Sequence, residues 1–198
     1  MIMKKGFTLI EALIAVGLFS ILVAIAFGGF INALRTQRAV VAMLSAQSNA
    51  GLVLEQMARE MRTGYLFCHD SGSDVPSLAC TPHCTVSAGN AWQCTGFIDF
   101  YDAATEEVQY RLTNGTLERA AGGGQFQPLT SDNVNVQYLS FNLQGQLEGD
   151  QWNPRVTIAM EVSPSSTFLT AGYNNILNLE TTVSARGIDC TPGPAASC

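Results

Sequence analysis

One carboxylate and six thiols are the side chains in this sequence whose placement promises chemistry. Glu11 stands at the head of an uncharged run from Ala12 to Leu34. That run is roughly 23 residues, the length that crosses a bilayer as a helix. An ionisable side chain inside such a span costs about 2.5 to 3.5 kcal/mol even on the lenient insertion scale, so it needs a partner. No base lies within the run. The cation available at that depth is an α-amino group, whose ordinary pKa is about 7.7 to 8. A local partner is also written in: Thr8-Leu9-Ile10-Glu11 fits a capping box, in which the glutamate satisfies a backbone N–H at the helix start.

The thiols Cys68, Cys80, Cys84, Cys94, Cys190 and Cys198 all follow the run. An even set of this kind reads as disulfides made in an oxidising compartment. Sequence does not choose among the pairings open to six cysteines. The expected arrangement joins Cys190 to Cys198 and ties the first four within one loop. Zinc is the competing chemistry, because His69 and His83 fall among those four. Against it, no CxxC knuckle is present, and the Cys80 to Cys84 spacing is loose for one. Asp132, Asn133 and Asn135, or Asp99 and Asp102, offer oxygens for calcium, yet no EF-hand loop is written there. Those residue types also form turns.

Several enzyme classes fall away. No lysine occurs after Lys5, which removes a P-loop lysine and a Schiff-base lysine from the body of the chain. Neither a GxSxG elbow nor an HExxH helix appears. Charge divides sharply: six bases against three acids through Tyr65 give +3, and four arginines against 13 acids from Leu66 onward give -9, which recovers the total of -6. A surface so acidic repels phosphate backbones, so no nucleic-acid partner is expected.

The elements that must position these groups are one long helix and a set of strands. Residues 7 to 64 read as a single helix, roughly 87 Å long at 1.5 Å per residue. Its second half is amphipathic, with Leu44, Gly51, Leu54, Ala58 and Met61 recurring at helical spacing and Glu55 four residues before Arg59. Residues 66 to 96 carry no period and read as an irregular loop. Strands are expected at Phe97 to Tyr101, Val108 to Thr113 and Thr116 to Arg119, with Asn114-Gly115 as a type I' hairpin turn. The alternation changes phase near Tyr138, which predicts a bulge. Val156 to Val162 alternate cleanly between Pro154 and Pro164, a last strand runs near Ile176 to Ala185, and Gly122 to Gly124 reads as a flexible joint. The fold class is α+β: a long amino-terminal helix packed on one antiparallel sheet of about five or six strands.

Lys4-Lys5-Gly6-Phe7-Thr8-Leu9-Ile10-Glu11 closely resembles the processing site of type IV prepilins and pseudopilins. An ordinary secretory leader ending at Ala24-Ile25-Ala26 fits less well, because the apolar run exceeds the usual length of about 7 to 15 residues. The body, from Leu54-Glu55-Gln56-Met57-Ala58-Arg59 through Gly64-Tyr65 and Cys68, is similar to W-type minor pilins and J-type minor pseudopilins.

That resemblance implies a structural subunit with no catalytic residue and no cofactor or metal. Residues 1–6 would be a leader cut between Gly6 and Phe7 by a prepilin peptidase, which also methylates the new amino group of Phe7. Residues 7–35 would form the membrane and filament-core half of the helix, 36–65 its amphipathic half, and 66–198 a disulfide-tied acidic domain. Glu11 would meet the amino terminus of a neighbouring subunit. Gly28-Gly29, where many relatives place proline, would melt on assembly. The partners implied are other minor and major subunits and an inner-membrane assembly platform, with the domain in the periplasm before assembly. Tip adhesion or cargo binding on the same scaffold is the alternative.

Overall fold

The computed structural model describes residues 6, 8–68, 80–86, 91–145, 152–165 and 176–186. Helix α1 runs Leu9–Thr63. It opens with Thr8 as the capping residue, its stretch from Ala12 to Leu34 carries no charge, and no proline interrupts it. The chain divides into two units, Met1–Val41 and Ala42–Cys198.

In the first unit the described residues of the helix are exposed or partly exposed. Leu13, Phe19, Ile25 and Phe30 are 60 to 68% exposed. The helix is long and apolar enough to cross a membrane. A continuous apolar surface of this size marks a site for lipid or for other protein.

In the second unit the helix supplies one wall of a hydrophobic core. Ala46, Ala50, Val53, Leu54, Met57 and Met61 are buried. This corrects the stripe expected from sequence. Leu54 and Met61 belong to it, but Leu44 is 60% exposed and Gly51 is exposed. The small alanines Ala46 and Ala50 are fully buried there, so side-chain size alone misleads.

Strands follow as β1 (Cys84–Val86), β2 (Trp92–Thr95), β3 (Phe97–Tyr101), β4 (Glu107–Thr113), β5 (Thr116–Ala121), β6 (Gln127–Pro128), β7 (Val134–Gln144), β8 (Arg155–Pro164) and β9 (Leu177–Ser184). Among the described residues they form two antiparallel sheets, a five-stranded one in the order β1-β2-β7-β8-β9 and a four-stranded one in the order β3-β4-β5-β6. The single sheet of five or six strands is thus a correction, and so is the irregular loop, since β1 and β2 lie within residues 66 to 96. The sheets part at Gly96, where the chain leaves β2 for β3. Its N–H donates to the Leu139 carbonyl at 2.9 Å and its own carbonyl accepts from Leu112 at 2.7 Å, stitching the two sheets.

Local chemistry explains the turns. Asn114 and Gly115 both take positive φ, 51° and 79°, as a type I' hairpin requires. A Cβ on Gly115 would collide with Asn135 Oδ1. The β7–β8 register shifts between Val136 and Tyr138, the bulge expected from the change of phase. Gly122 to Gly124 forms the turn after β5. Gly124 donates to the Ala121 carbonyl at 2.9 Å and returns the chain to β6, whose Pro128 is tolerated because β6 is an edge.

Candidate functional site

Gly6 is exposed just ahead of the helix, while Lys4, Lys5 and Phe7 lie outside the described residues. The first turn is closed by a reciprocal cap. Glu11 N–H donates to Thr8 Oγ1 at 3.4 Å, and Thr8 donates back to Glu11 Oε2 through its N–H at 3.4 Å and its hydroxyl at 3.2 Å. Both side chains are exposed. The carboxylate therefore sits where helix-end N–H groups and the macrodipole favour negative charge. It has oxygen capacity left for a further donor, because an ionised carboxylate accepts about four hydrogen bonds.

Gly28 and Gly29 are helical, and a Cβ added to either would meet nothing within 4 Å. No crowding within the chain therefore requires glycine at these two positions. They are weak points in a helix, each costing about 1 kcal/mol relative to alanine.

The four-sulfur cluster lies in the second unit. Cys68 is bonded to Cys80, and Cys84 to Cys94, the latter pair directly opposite each other on β1 and β2. Cys68, Cys80 and Cys94 are fully buried and Cys84 is half-buried. The sulfurs of Cys68, Cys84 and Cys94 lie within 4.8 Å of one another, as do those of Cys68 and Cys80 with a carboxylate oxygen of Asp99. A metal would need the thiolate, which a disulfide does not provide. His83 stacks on Phe97 with ring centroids 5.1 Å apart, and His69, Cys190 and Cys198 lie outside the described residues.

Asp102 and Asn133, two of the residues weighed for calcium, are engaged in local structure. Asp102 Oδ1 accepts from the N–H groups of Ala104 at 2.8 Å and Glu106 at 3.0 Å, closing a turn. Asn133 donates to Ser45 Oγ at 2.7 Å and accepts from the Ser131 hydroxyl, while Asn49 donates to Ser131 Oγ at 2.9 Å. These polar bonds seat the helix on the turn before β7.

A second helix–sheet tie has no counterpart in the sequence reading. Glu60 Oε2 accepts from the Tyr110 hydroxyl at 2.7 Å and from Arg119 Nε at 2.9 Å. Tyr110 and Arg119 are cross-strand partners on β4 and β5, so the sheet presents two donors to one carboxylate. Burial pushes the Tyr110 phenol above its ordinary range, and the bond to Glu60 and that carboxylate's charge push it further. Burial pulls the Arg119 guanidinium down, yet its hydrogen bond to Glu60 and the attraction of that charge prevail and raise it. The available signal was positional: Glu60 adjoins Met61 and follows Met57 by three residues, placing a carboxylate at the border of the buried stripe.

Residues 1–27 match the family model of the prokaryotic N-terminal methylation motif, so the chain carries a type IV pilin-like signal. No curated protein and no solved structure matches the chain. The long helix packed on antiparallel sheets is the α+β, pilin-like architecture.

Proposed function

We propose that the chain is a minor pilin or pseudopilin, a structural subunit that primes assembly and sits at or near the tip of a type IV filament. The observation that carries this reading is the coincidence of the methylation motif at residues 1–27 with a helix long and apolar enough to cross a membrane, whose apolar half is exposed. A methylated amino terminus and an unburied apolar rod are needed together by a protein that is held in a membrane and then stacked on copies.

The proposed sequence of events uses the chain's own residues. A prepilin peptidase hydrolyses the Gly6–Phe7 bond, removing residues 1–6, and the Phe7 amino group is methylated. Residues 7–35 hold the subunit in the inner membrane, 36–65 join that half to the domain, and 66–198 form the domain on the periplasmic side. On docking, Glu11 exchanges its exposed local cap for the Phe7 ammonium of an adjacent subunit, a stronger charge-assisted bond in a dry core. Gly28-Gly29 releases the helix locally as subunits pack. Partners are other minor and major subunits and the assembly platform of the inner membrane.

The acidic domain supports a second reading on the same scaffold, a tip adhesin or cargo-binding module. The two are separated by deletion. Loss of filaments follows from the first, and filaments that persist without attachment or secretion follow from the second. Glu11→Ala tests the assembly role itself: processed protein accumulates in the membrane while filament yield falls at least tenfold. Unchanged filament yield would overturn the role.

A further inference from the structure

Two disulfides ordinarily act as separate cross-links, but these two touch. Cys68 Sγ lies 3.7 Å from Cys84 Sγ and 3.8 Å from Cys94 Sγ, so one end of the first bond rests against both ends of the second. Backbone bonds hold the arrangement. Cys68 N–H donates to the Asp99 carbonyl at 2.8 Å, and the Cys80 carbonyl accepts from His83 at 2.8 Å and from Cys84 at 2.9 Å. At the far end of the first bond, Cys80 Sγ lies 3.2 Å from the buried carboxylate oxygen Asp99 Oδ1. Of the four cysteines, Cys84 alone is half-buried.

We infer that Cys84 is an entry site for thiol–disulfide exchange, and that the exchange passes through Cys94 to Cys68 within the folded domain. Which sulfur an incoming thiolate attacks is set by access as well as by leaving-group acidity, and access favours Cys84. Attack there forms a mixed disulfide on Cys84 and breaks the Cys84–Cys94 bond, leaving the electron pair on Cys94. The Cys94 thiolate is already in contact with Cys68 Sγ. Its attack forms Cys68–Cys94, breaks Cys68–Cys80 and leaves the electron pair on Cys80. A thiolate beside the Asp99 carboxylate is disfavoured by like charge, so Cys80 takes up the proton that the incoming thiol gave up and donates it in a hydrogen bond to Asp99. Two disulfide bonds and one thiol enter, and two disulfide bonds and one thiol leave, so no oxidant is consumed.

The probe is glutathione. The full-length protein in detergent is held in a reduced and oxidised glutathione mixture near neutral pH, quenched with iodoacetamide and mapped as non-reduced peptides, with far-UV circular dichroism recorded alongside. The expected result is glutathione on Cys84, alkylation on Cys80 and a Cys68–Cys94 linked peptide in most adducted molecules, with the circular dichroism unchanged. Adducts that retain Cys68–Cys80 and carry alkylated Cys94 would overturn the relay. Complete retention of the original pairing would overturn the entry site as well.

Discussion

Glu60 Oε2 accepts the Arg119 guanidinium at 2.9 Å, joining the last turns of the long helix to β5. The same oxygen holds the Tyr110 hydroxyl at 2.7 Å, so a single carboxylate sets the helix against the four-stranded sheet. Its side chain is 24% exposed and that of Arg119 27%. The pair is partly screened, and its worth lies between that of a surface bridge and a buried one. Glu60→Ala leaves both donors without their shared acceptor and is expected to cost about 2 kcal/mol. Urea unfolding of the detergent-solubilised full chain measures it. Glu55→Ala, which removes an exposed pair at 2.9 Å, serves as the control and is expected to change stability by less than about 0.5 kcal/mol.

Alkaline pH isolates the tyrosine. Its phenol is held above the ordinary value near 10 by burial and then by Glu60. The folded state therefore keeps a proton that the unfolded state gives up first, and stability contributed by this group is complete below about pH 10 and falls as pH rises further. Tyr110→Phe removes that titration. Its unfolding free energy is expected to be lower than wild type at pH 7 by about 1 to 2 kcal/mol, with the gap narrowing above pH 10. A constant gap from pH 7 to 11 would contradict the assignment.

Gly115→Ala forces a side chain into a left-handed turn and onto Asn135 Oδ1. A loss of about 2 to 3 kcal/mol is expected. Gly123→Ala supplies the comparison: the same left-handed strain at φ 71°, with nothing within 4 Å of the new Cβ, so a smaller loss. Thermal unfolding of the two variants separates the steric part from the conformational part.

Much of the fold is legible in residue order because its cues are local. β3, the Asn114-Gly115 hairpin, the bulge beside Tyr138 and the alternating β8 each depend on neighbours within a few positions. The two-sheet division was not legible, because it turns on where Gly96 bonds to Leu139 and Leu112, partners distant in sequence. The packed helix face is not legible in residue order for a related reason. Ala46 and Ala50 are buried by what lies opposite them, and Leu44 and Leu52, which dominate any hydrophobic scan, face outward. At the candidate site, the capping box and the methylation motif are contiguous and could be seen. The contact between two disulfides depends on chain segments meeting, and no spacing rule announces it.

The outward leucines lead to a prediction about assembly. Leu52 is 66% exposed, so Leu52→Ala removes no buried contact and is expected to shift stability by less than about 0.5 kcal/mol. Met57→Ala, at a fully buried position, is expected to cost about 2 to 4 kcal/mol. If the outer helix face meets neighbouring subunits, Leu52→Ala lowers filament yield at unchanged stability. Equal effects of the two variants on stability would show that the helix packs by a different face.

In the proposed function, proteolysis directly ahead of the apolar helix makes the functional amino terminus. Intact-mass analysis and amino-terminal sequencing of the protein isolated from its host membranes test it most directly. The expected product is a chain that begins at Phe7 and carries one methyl group on its α-nitrogen. A chain that retains Met1, or one that begins after Ala26, would contradict it.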